Sequence, residues 1–317
     1  MKIISILIPA YNEEQVLHTL INRLDAVTSD LPNYQFEYLF VNDGSTDNTL
    51  FLLKQLVKHR TDISYVNLSR NFGKEVAMLA GFDHTKGQAV IIIDADLQDP
   101  PELIPEMIGY WEQGYDDVYA KRRSRAGESW FKKWSSSRYY KILETLSNIP
   151  VQRDTGDFRL LDRRCIDALQ QLREGQRYTK GMYSWIGFNK KEILFDRDPR
   201  AAGETKWNYG KLFNLAIDGI TSSTIAPLRF SSLFGVIISV VAFFFVVIVV
   251  IRALLFGDPV PGYPSLMAVI LFLGGIQLLS LGIIGEYLGK VFYETKGRPV
   301  YFVDEYVSTI KKDDSAE

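Results

Sequence analysis

The chain has 317 residues, 23% of them charged, and a formal net charge of −2, so no overall basic field points to nucleic acid. Its single cysteine, Cys165, excludes a disulfide framework and a cysteine-based zinc site, and fits a reducing compartment. Mean hydropathy is near zero, but unevenly spread: residues 1–228 read as a soluble domain, while residues 231–289 do not.

The first 120 residues alternate β-rich runs with helical patterns. "KIISILIPAYNEE" predicts a strand that leaves into a turn, then a helix around Glu14–Ala26. "FEYLFVNDGSTDNT" repeats the unit, with Asp47 or Thr46 capping a helix that runs to about Arg60. "ISYVNLSRNFGKE" is followed by a helix near Lys74–His84. In "AVIIIDADLQDPPE", Pro100 and Pro101 open the next helix. "DDVYAKRR" reads as a fifth strand. Strands alternating with helices predict an α/β fold built on an open, mostly parallel sheet.

Ligands of such sheets bind beyond the carboxyl ends of the strands. Here those ends are "PAYNEE", "NDGSTDNT", "SRNFGK", "DADLQDP" and "AKRRSR". One polar loop is ordinary; five together, carrying acids, amides and bases, point to a site. Strand side chains alternate, so Asp94 and Asp96 share a side if the extended geometry continues past the buried run. Two carboxylates there suit a hard divalent cation, Mg²⁺ or Mn²⁺, and Gln98 offers an amide oxygen. A turn or capping role for these aspartates is the plain alternative. His18, His59 and His84 are scattered on helical segments and read as surface or packing residues.

Basic residues follow the fifth strand: Lys121, Arg122, Arg123 and Arg125, then Lys132, Lys133 and Arg138 on a helix of amphipathic pattern. They suit a phosphate or anionic lipid headgroups. Segment 209–229 mixes apolar and basic residues and reads as lying along a membrane surface. Two uncharged runs follow, "SSLFGVIISVVAFFFVVIVVI" from Ser231 and "PSLMAVILFLGGIQLLSLGIIG" from Pro264. Each forms a helix of about 30 Å or more, the thickness of a bilayer core, and lies too far along the chain for a cleaved signal. The spans are predicted at about 231–256 and 264–289, within 230–290. The link "GDPVPGYP" holds no Lys or Arg, whereas Lys206, Lys211 and Arg229 precede the hairpin and Lys290, Lys296 and Arg298 follow it. The positive-inside rule then places both termini, the domain 1–208 and the tail 291–317 in the cytosol. Arg252 near the outer end of the first span is placed to snorkel. Gly274, Gly275, Gly282, Gly285 and Gly289 give the second span small faces for close packing within the hairpin or between copies of the chain.

Taken together, "SILIPAYNEE", "VNDGSTDNT", "NFGKEVAMLAG", "DADLQDPPE" and "DTGDFRLLDRR" resemble the GT-A-fold family 2 glycosyltransferases. The branch they look most like is the polyprenyl-phosphate one, which holds dolichol-phosphate mannose synthases and bacterial undecaprenyl-phosphate (bactoprenol) glucosyltransferases. The resemblance extends over the paired spans and the tail "KGRPVYFV". It implies that Pro9, Tyr11, Asn12 and Glu13 line a nucleotide pocket and that Asp43 contacts base or ribose. It assigns Asp94, Asp96 and Gln98 to the metal and donor diphosphate, and Asp157 to the catalytic carboxylate. Arg200, Gly203, Thr205 and Lys206 match the acceptor loop, with Thr205 where serine is usual. From its surroundings alone, Asp157 also reads as a salt-bridge partner of Arg159 or Arg163, and Asp154 is a second candidate acid. Arg122, Arg200 and Lys206 are the expected contacts to the acceptor phosphate.

The implied reaction is inverting transfer of a sugar, glucose from UDP-glucose by preference, onto a polyprenyl phosphate such as undecaprenyl phosphate. It would be carried out by a homo-oligomer in a bacterial plasma membrane. GDP-mannose and a UDP-amino-sugar are the alternative donors. A processive polysaccharide synthase fits less well, because "GQRYTKGMYSW" lacks a Gln-x-x-Arg-Trp pattern and two spans make no polymer channel. Asp94, Asp96 and Asp157 argue against a non-catalytic protein binding nucleotide sugars or lipid phosphates. A lipid-linked sugar flippase needs more embedded helix than two spans.

Overall fold

The structure is a computed structural model that describes residues 1–123, 155–175, 177–196, 226–256 and 262–309. Its chain forms two compact units, residues 1–208 with 299–317, and residues 209–298.

The first unit is an eight-stranded sheet in the order β7-β5-β6-β4-β1-β2-β3-β8. In chain order these strands are β1 (Lys2–Ala10), β2 (Tyr34–Asn42), β3 (Ile63–Leu68), β4 (Ala89–Ile92), β5 (Asp117–Arg122), β6 (Thr155–Asp162), β7 (Lys190–Phe195) and β8 (Val303–Val307). The helices are α1 (Leu17–Ser29), α2 (Thr49–His59), α3 (Lys74–His84), α4 (Ile104–Glu112, after a 3₁₀ turn at Pro101–Leu103), α5 (Arg163–Gln171) and α6 (Thr179–Trp185). Strand alternation sorts the core into two layers. Ile4, Ile6 and Ile8 pack with Leu20, Leu24, Leu53 and Met107 on one face. Leu7, Leu39 and Val66 pack with Met78, Phe82, Ile166 and Tyr183 on the other. Helices α1, α2 and α4 thus cover one face of the sheet and α3, α5 and α6 the other, the expected α/β class. Helix α3 lies so close to β1 that a Cβ on Gly81 would stand 2.1 Å from Leu7 Cδ1.

The central strands β3-β2-β1-β4 are mutually parallel, as the βα repeats predict. The flanks make the sheet mixed, less parallel than expected. Strand β6 runs antiparallel between β4 and β5, and β8 runs antiparallel along β3. Strand β8, read from sequence as part of a tail, is therefore a strand of the sheet. Asn67 Nδ2 donates to Asp304 Oδ2 at 3.0 Å and Lys54 pairs with Glu305 at 2.6 Å, so β8 covers what would otherwise be an open edge.

The second unit holds α7 (Ala226–Phe256) and α8 (Tyr263–Thr295), which contact each other. Within them, Pro227–Phe245 and Phe272–Thr295 have mean hydropathies of 2.1 and 1.3 and are long and apolar enough to cross a membrane. Among the described residues, nothing lies within 4 Å of a Cβ placed on Gly274, Gly275, Gly282, Gly285 or Gly289.

Candidate active site

Strand order turns at β1, which has β2 on one side and β4 on the other, and a cavity of about 260 Å³ opens beyond the carboxyl ends of these strands. Pro9, Tyr11 and Glu13 line it from the end of β1, Asp43 from the end of β2, and Asp94 and Asp96 from the end of β4. Asn71, Gly73 and Lys74 close it from the loop before α3.

Three loops are tied together at this mouth. Asn12, with φ of 59°, accepts from Thr46 N–H at 2.8 Å, and its own N–H donates to Ser45 Oγ at 3.0 Å. It is absent from the cavity wall and staples the β1 loop to the β2 loop. Asp47 Oδ1 accepts from Thr49 N–H at 3.0 Å at the start of α2, but the residue at the cap position is Asn48 and not the expected Asp47 or Thr46. Asp43 is buried, and its two oxygens accept from Phe72 N–H at 2.7 Å and Gly73 N–H at 2.9 Å. Burial pushes its carboxyl up against the pull of those two amides. Gly44 beside it has φ of +64°, and a Cβ there would meet Arg70 C at 2.4 Å and Asn71 N at 2.5 Å. Gly44→Ala is therefore expected to lower stability by about 1–3 kcal/mol. An unchanged urea midpoint would show that the loops yield freely.

The acids at the end of β4 lie just past the strand, which stops at Ile92. Alternation persists nonetheless: Ile93, Ala95 and Leu97 are buried while Asp94 and Asp96 are half-exposed to the cavity. Leu97 at φ of 60° turns the chain, and Gln98 N–H donates to Asp96 Oδ1 at 3.1 Å. Gln98 itself is buried and is not among the residues lining the cavity.

Strand β6 supplies what β4 lacks. Its antiparallel register pairs Ile92 with Arg159. Continued two residues, that register sets Asp94 opposite Asp157. Lys74, the first residue of α3, spans the two: Nζ lies 2.6 and 2.8 Å from the two oxygens of Asp94 and 2.6 Å from Asp157 Oδ2. Burial alone would lower the lysine's pKa, but the two carboxylates outweigh it and hold the ammonium far above its usual range. Burial likewise works to raise the Asp157 carboxyl, yet Lys74, Lys180 and Arg159 together hold it below the usual carboxylate range. Asp157 Oδ1 is buried and without a hydrogen-bond partner among the described residues. The salt-bridge alternatives resolve differently: Arg159 pairs with Asp117 at 3.1 Å, and Arg163 donates to the Gly87 carbonyl and lies 3.9 Å from Asp167. Glu75, next to Lys74, accepts from the backbone N–H and hydroxyl of Thr179, docking the start of α6 against the start of α3.

Arg122 is half-buried at the end of β5. Arg200, Gly203, Thr205 and Lys206, together with Asp154, Arg125, Lys132, Lys133 and Arg138, lie outside the described residues. Lys74 was not singled out from sequence. The signal available was its place in "NFGK", one of the polar strand ends.

The profile of the family Glycosyl transferase family 2 matches residues 5–169, which run from β1 through α5 and include every acid of this site. A glycosyltransferase of Synechocystis sp. is 49% identical over 302 residues, 95% of either chain. The bactoprenol glucosyl transferase of Shigella phage SfX and a prophage bactoprenol glucosyl transferase homolog of Escherichia coli are each 39% identical over 300 residues, 95% of this chain and 98% of theirs. With an α/β sheet, an acid-lined cavity at its switch point and relatives matching along nearly the whole chain, this protein is a glycosyltransferase and belongs to glycosyl transferase family 2.

Proposed function

We propose that the protein transfers a sugar, with inversion, from a nucleotide sugar to the phosphate of a polyprenyl phosphate, and that the donor is UDP-glucose. The observation that carries this reading is the extent of the match to the bactoprenol glucosyl transferases. It covers 95% of the chain, so it includes the two long apolar helices as well as the sheet. Helices long enough to span a bilayer suit an enzyme whose acceptor is held in the membrane.

The donor set of the cavity fits a hard divalent cation. Asp94 and Asp96 offer carboxylate oxygens on one side of it. Among the described residues no three His, Cys, Asp or Glu side chains gather into a closed cage. Mg²⁺ and Mn²⁺ characteristically take one or two carboxylates and leave positions for substrate phosphates. Such a metal, when bound, spreads the negative charge that the departing nucleotide diphosphate collects. Pro9, Tyr11, Glu13 and the grip of Asp43 on the 72–73 amides shape the nucleotide side of the cavity. Asp157, ionised and buried against Lys74 of the cavity wall, with Oδ1 unpartnered among the described residues, is the carboxylate proposed for the reacting centre. The polyprenyl phosphate, with a second pKa of about 6, is already largely a dianion near neutral pH and attacks C1 without a strong base. Arg122, Arg200 and Lys206 are its proposed contacts.

Helices α7 and α8 cross the membrane as a hairpin in this reading. Strand β8 follows α8 yet pairs with β3, which precedes α7; this supports placing both termini on one side. The lysines and arginines flanking the hairpin put that side in the cytosol of a bacterial cell. The small faces that Gly274, Gly275, Gly282, Gly285 and Gly289 give α8 support a homo-oligomer.

The test is transfer by purified full-length protein in detergent, with undecaprenyl phosphate, Mg²⁺ or Mn²⁺, and radiolabelled UDP-glucose, UDP-galactose, UDP-GlcNAc or GDP-mannose in turn. Label entering the lipid phase from UDP-glucose alone is expected. Transfer from another donor would replace the glucose assignment, and transfer from none would overturn it.

A further inference from the structure

Lys74 occupies an unusual place in this site. Its ammonium engages both oxygens of Asp94, at 2.6 and 2.8 Å, and still reaches Asp157. Any cation that approaches Asp94 must therefore displace that ammonium or share the carboxylate with it. The lysine is able to move. Its side chain is 40% exposed on the cavity wall. Its four-carbon stem is flexible, and the neighbouring Gly73 amide, held by Asp43, keeps its base in place when the ammonium moves. An ammonium is also a good point charge for phosphate oxygens. Asp157 does not depend on Lys74 alone, since Lys180 and Arg159 also bear on it.

We propose that Lys74 is a resident counter-ion that occupies the metal-facing carboxylate Asp94 until the donor diphosphate takes the ammonium over, so that metal and nucleotide load together. The proposal rests on the reading above, in which Asp94 and Asp96 face a divalent metal and the cavity takes a nucleotide diphosphate. Its consequence is energetic coupling. The nucleotide draws Lys74 away from Asp94 and so tightens the metal, and by linkage the metal tightens the nucleotide by the same factor. Metal alone is held weakly because it competes with a cation already at contact distance.

The experiment is a Mn²⁺ titration of the full-length protein in detergent, with free Mn²⁺ followed by electron paramagnetic resonance, alone and with saturating UDP or GDP. Wild type should bind Mn²⁺ weakly alone and about tenfold or more tightly with nucleotide. Lys74→Met should bind Mn²⁺ alone about tenfold more tightly than wild type, with the nucleotide's effect reduced to match. Lys74→Arg, which keeps the charge, should behave like wild type. Tighter binding is a gain that a damaged fold does not produce, and adding Asp94→Asn to Lys74→Met should abolish it. A Lys74→Met affinity for Mn²⁺ alone within about twofold of wild type would overturn the proposal while leaving the metal site standing. Absence of Mn²⁺ binding to wild type with either nucleotide would overturn the metal reading and this inference with it.

Discussion

Asp157→Asn should lower kcat by about 10²–10⁴-fold while leaving the KM for the nucleotide sugar within a few-fold of wild type. The substitution keeps the shape of the side chain and removes its charge. That charge is what the structure maintains: Lys74 holds one oxygen at 2.6 Å, and Lys74, Lys180 and Arg159 together keep the carboxyl below its usual range despite burial. A carboxyl so held is an anion across the neutral range and a weak base. Its proposed contribution is electrostatic, toward the positive charge that grows at the anomeric carbon as the C1–O bond breaks. The pH dependence separates this from proton abstraction. The acceptor phosphate loses its own second proton near a pH of about 6. If Asp157 served as the base, the defect of Asp157→Asn would shrink at higher pH, where the acceptor arrives already deprotonated. An electrostatic role leaves the defect the same from pH 6 to pH 9, a range set about that acceptor pKa. Transfer rates measured across that range at saturating donor decide the matter.

How far the site was legible in the sequence follows from which contacts are local. The βα repeats fixed their own pattern. Strands β1 to β4 and helix α3 arise from alternation and helical periodicity within single segments, and the acids Asp94 and Asp96 sit where a strand must end. The site's other half is non-local. Strand β6 begins more than sixty residues after β4 ends, and nothing in "TGDFRLLD" states that it pairs antiparallel to β4 with Asp157 beside Asp94. That register comes from burying Phe158, Leu160 and Leu161 against both layers of the core, a tertiary requirement without a local signal. The role of Lys74 depends on the same pairing. "VDEYV" is equally silent about the sheet edge it covers, because its short polar alternation suits a tail as well as a strand. The turn after Asp96 is equally unannounced: Leu97 takes φ of 60°, and Gln98, expected as a ligand, is buried just beyond it.

Arg159→Met should destabilise the sheet unit by about 3–5 kcal/mol, the largest stability effect expected of any single change here. Arg159 and Asp117 are both fully buried, with Arg159 Nη1 at 3.2 and 3.1 Å from the two carboxylate oxygens. The guanidinium also lies 3.6 Å from the centroid of the Tyr183 ring. Removing the arginine strands a carboxylate that burial already pushes up in pKa and that Arg159 and Lys190 pull down. The comparison that isolates this cause is the double variant Arg159→Met/Asp117→Leu, which removes the stranded charge and should recover much of the loss. The pH dependence gives a second check. A carboxyl whose folded-state pKa lies above its unfolded value binds more protons in the folded state, so stability falls as pH rises through that interval. Removing Arg159 raises the folded-state value of Asp117 further. The deficit of Arg159→Met should therefore grow as pH climbs through the raised folded-state value of Asp117 in wild type towards the still higher one in the variant, and be larger at neutral pH than in mild acid. Tryptophan-monitored urea unfolding in detergent, at both pH values, reads the effect. A deficit of the same size in the single and double variants would show that lost packing against Tyr183, and not the unpaired charge, is what Arg159 prevents. Arg159 stands two residues from Asp157 on β6, and its pair with Asp117 ties that strand to β5.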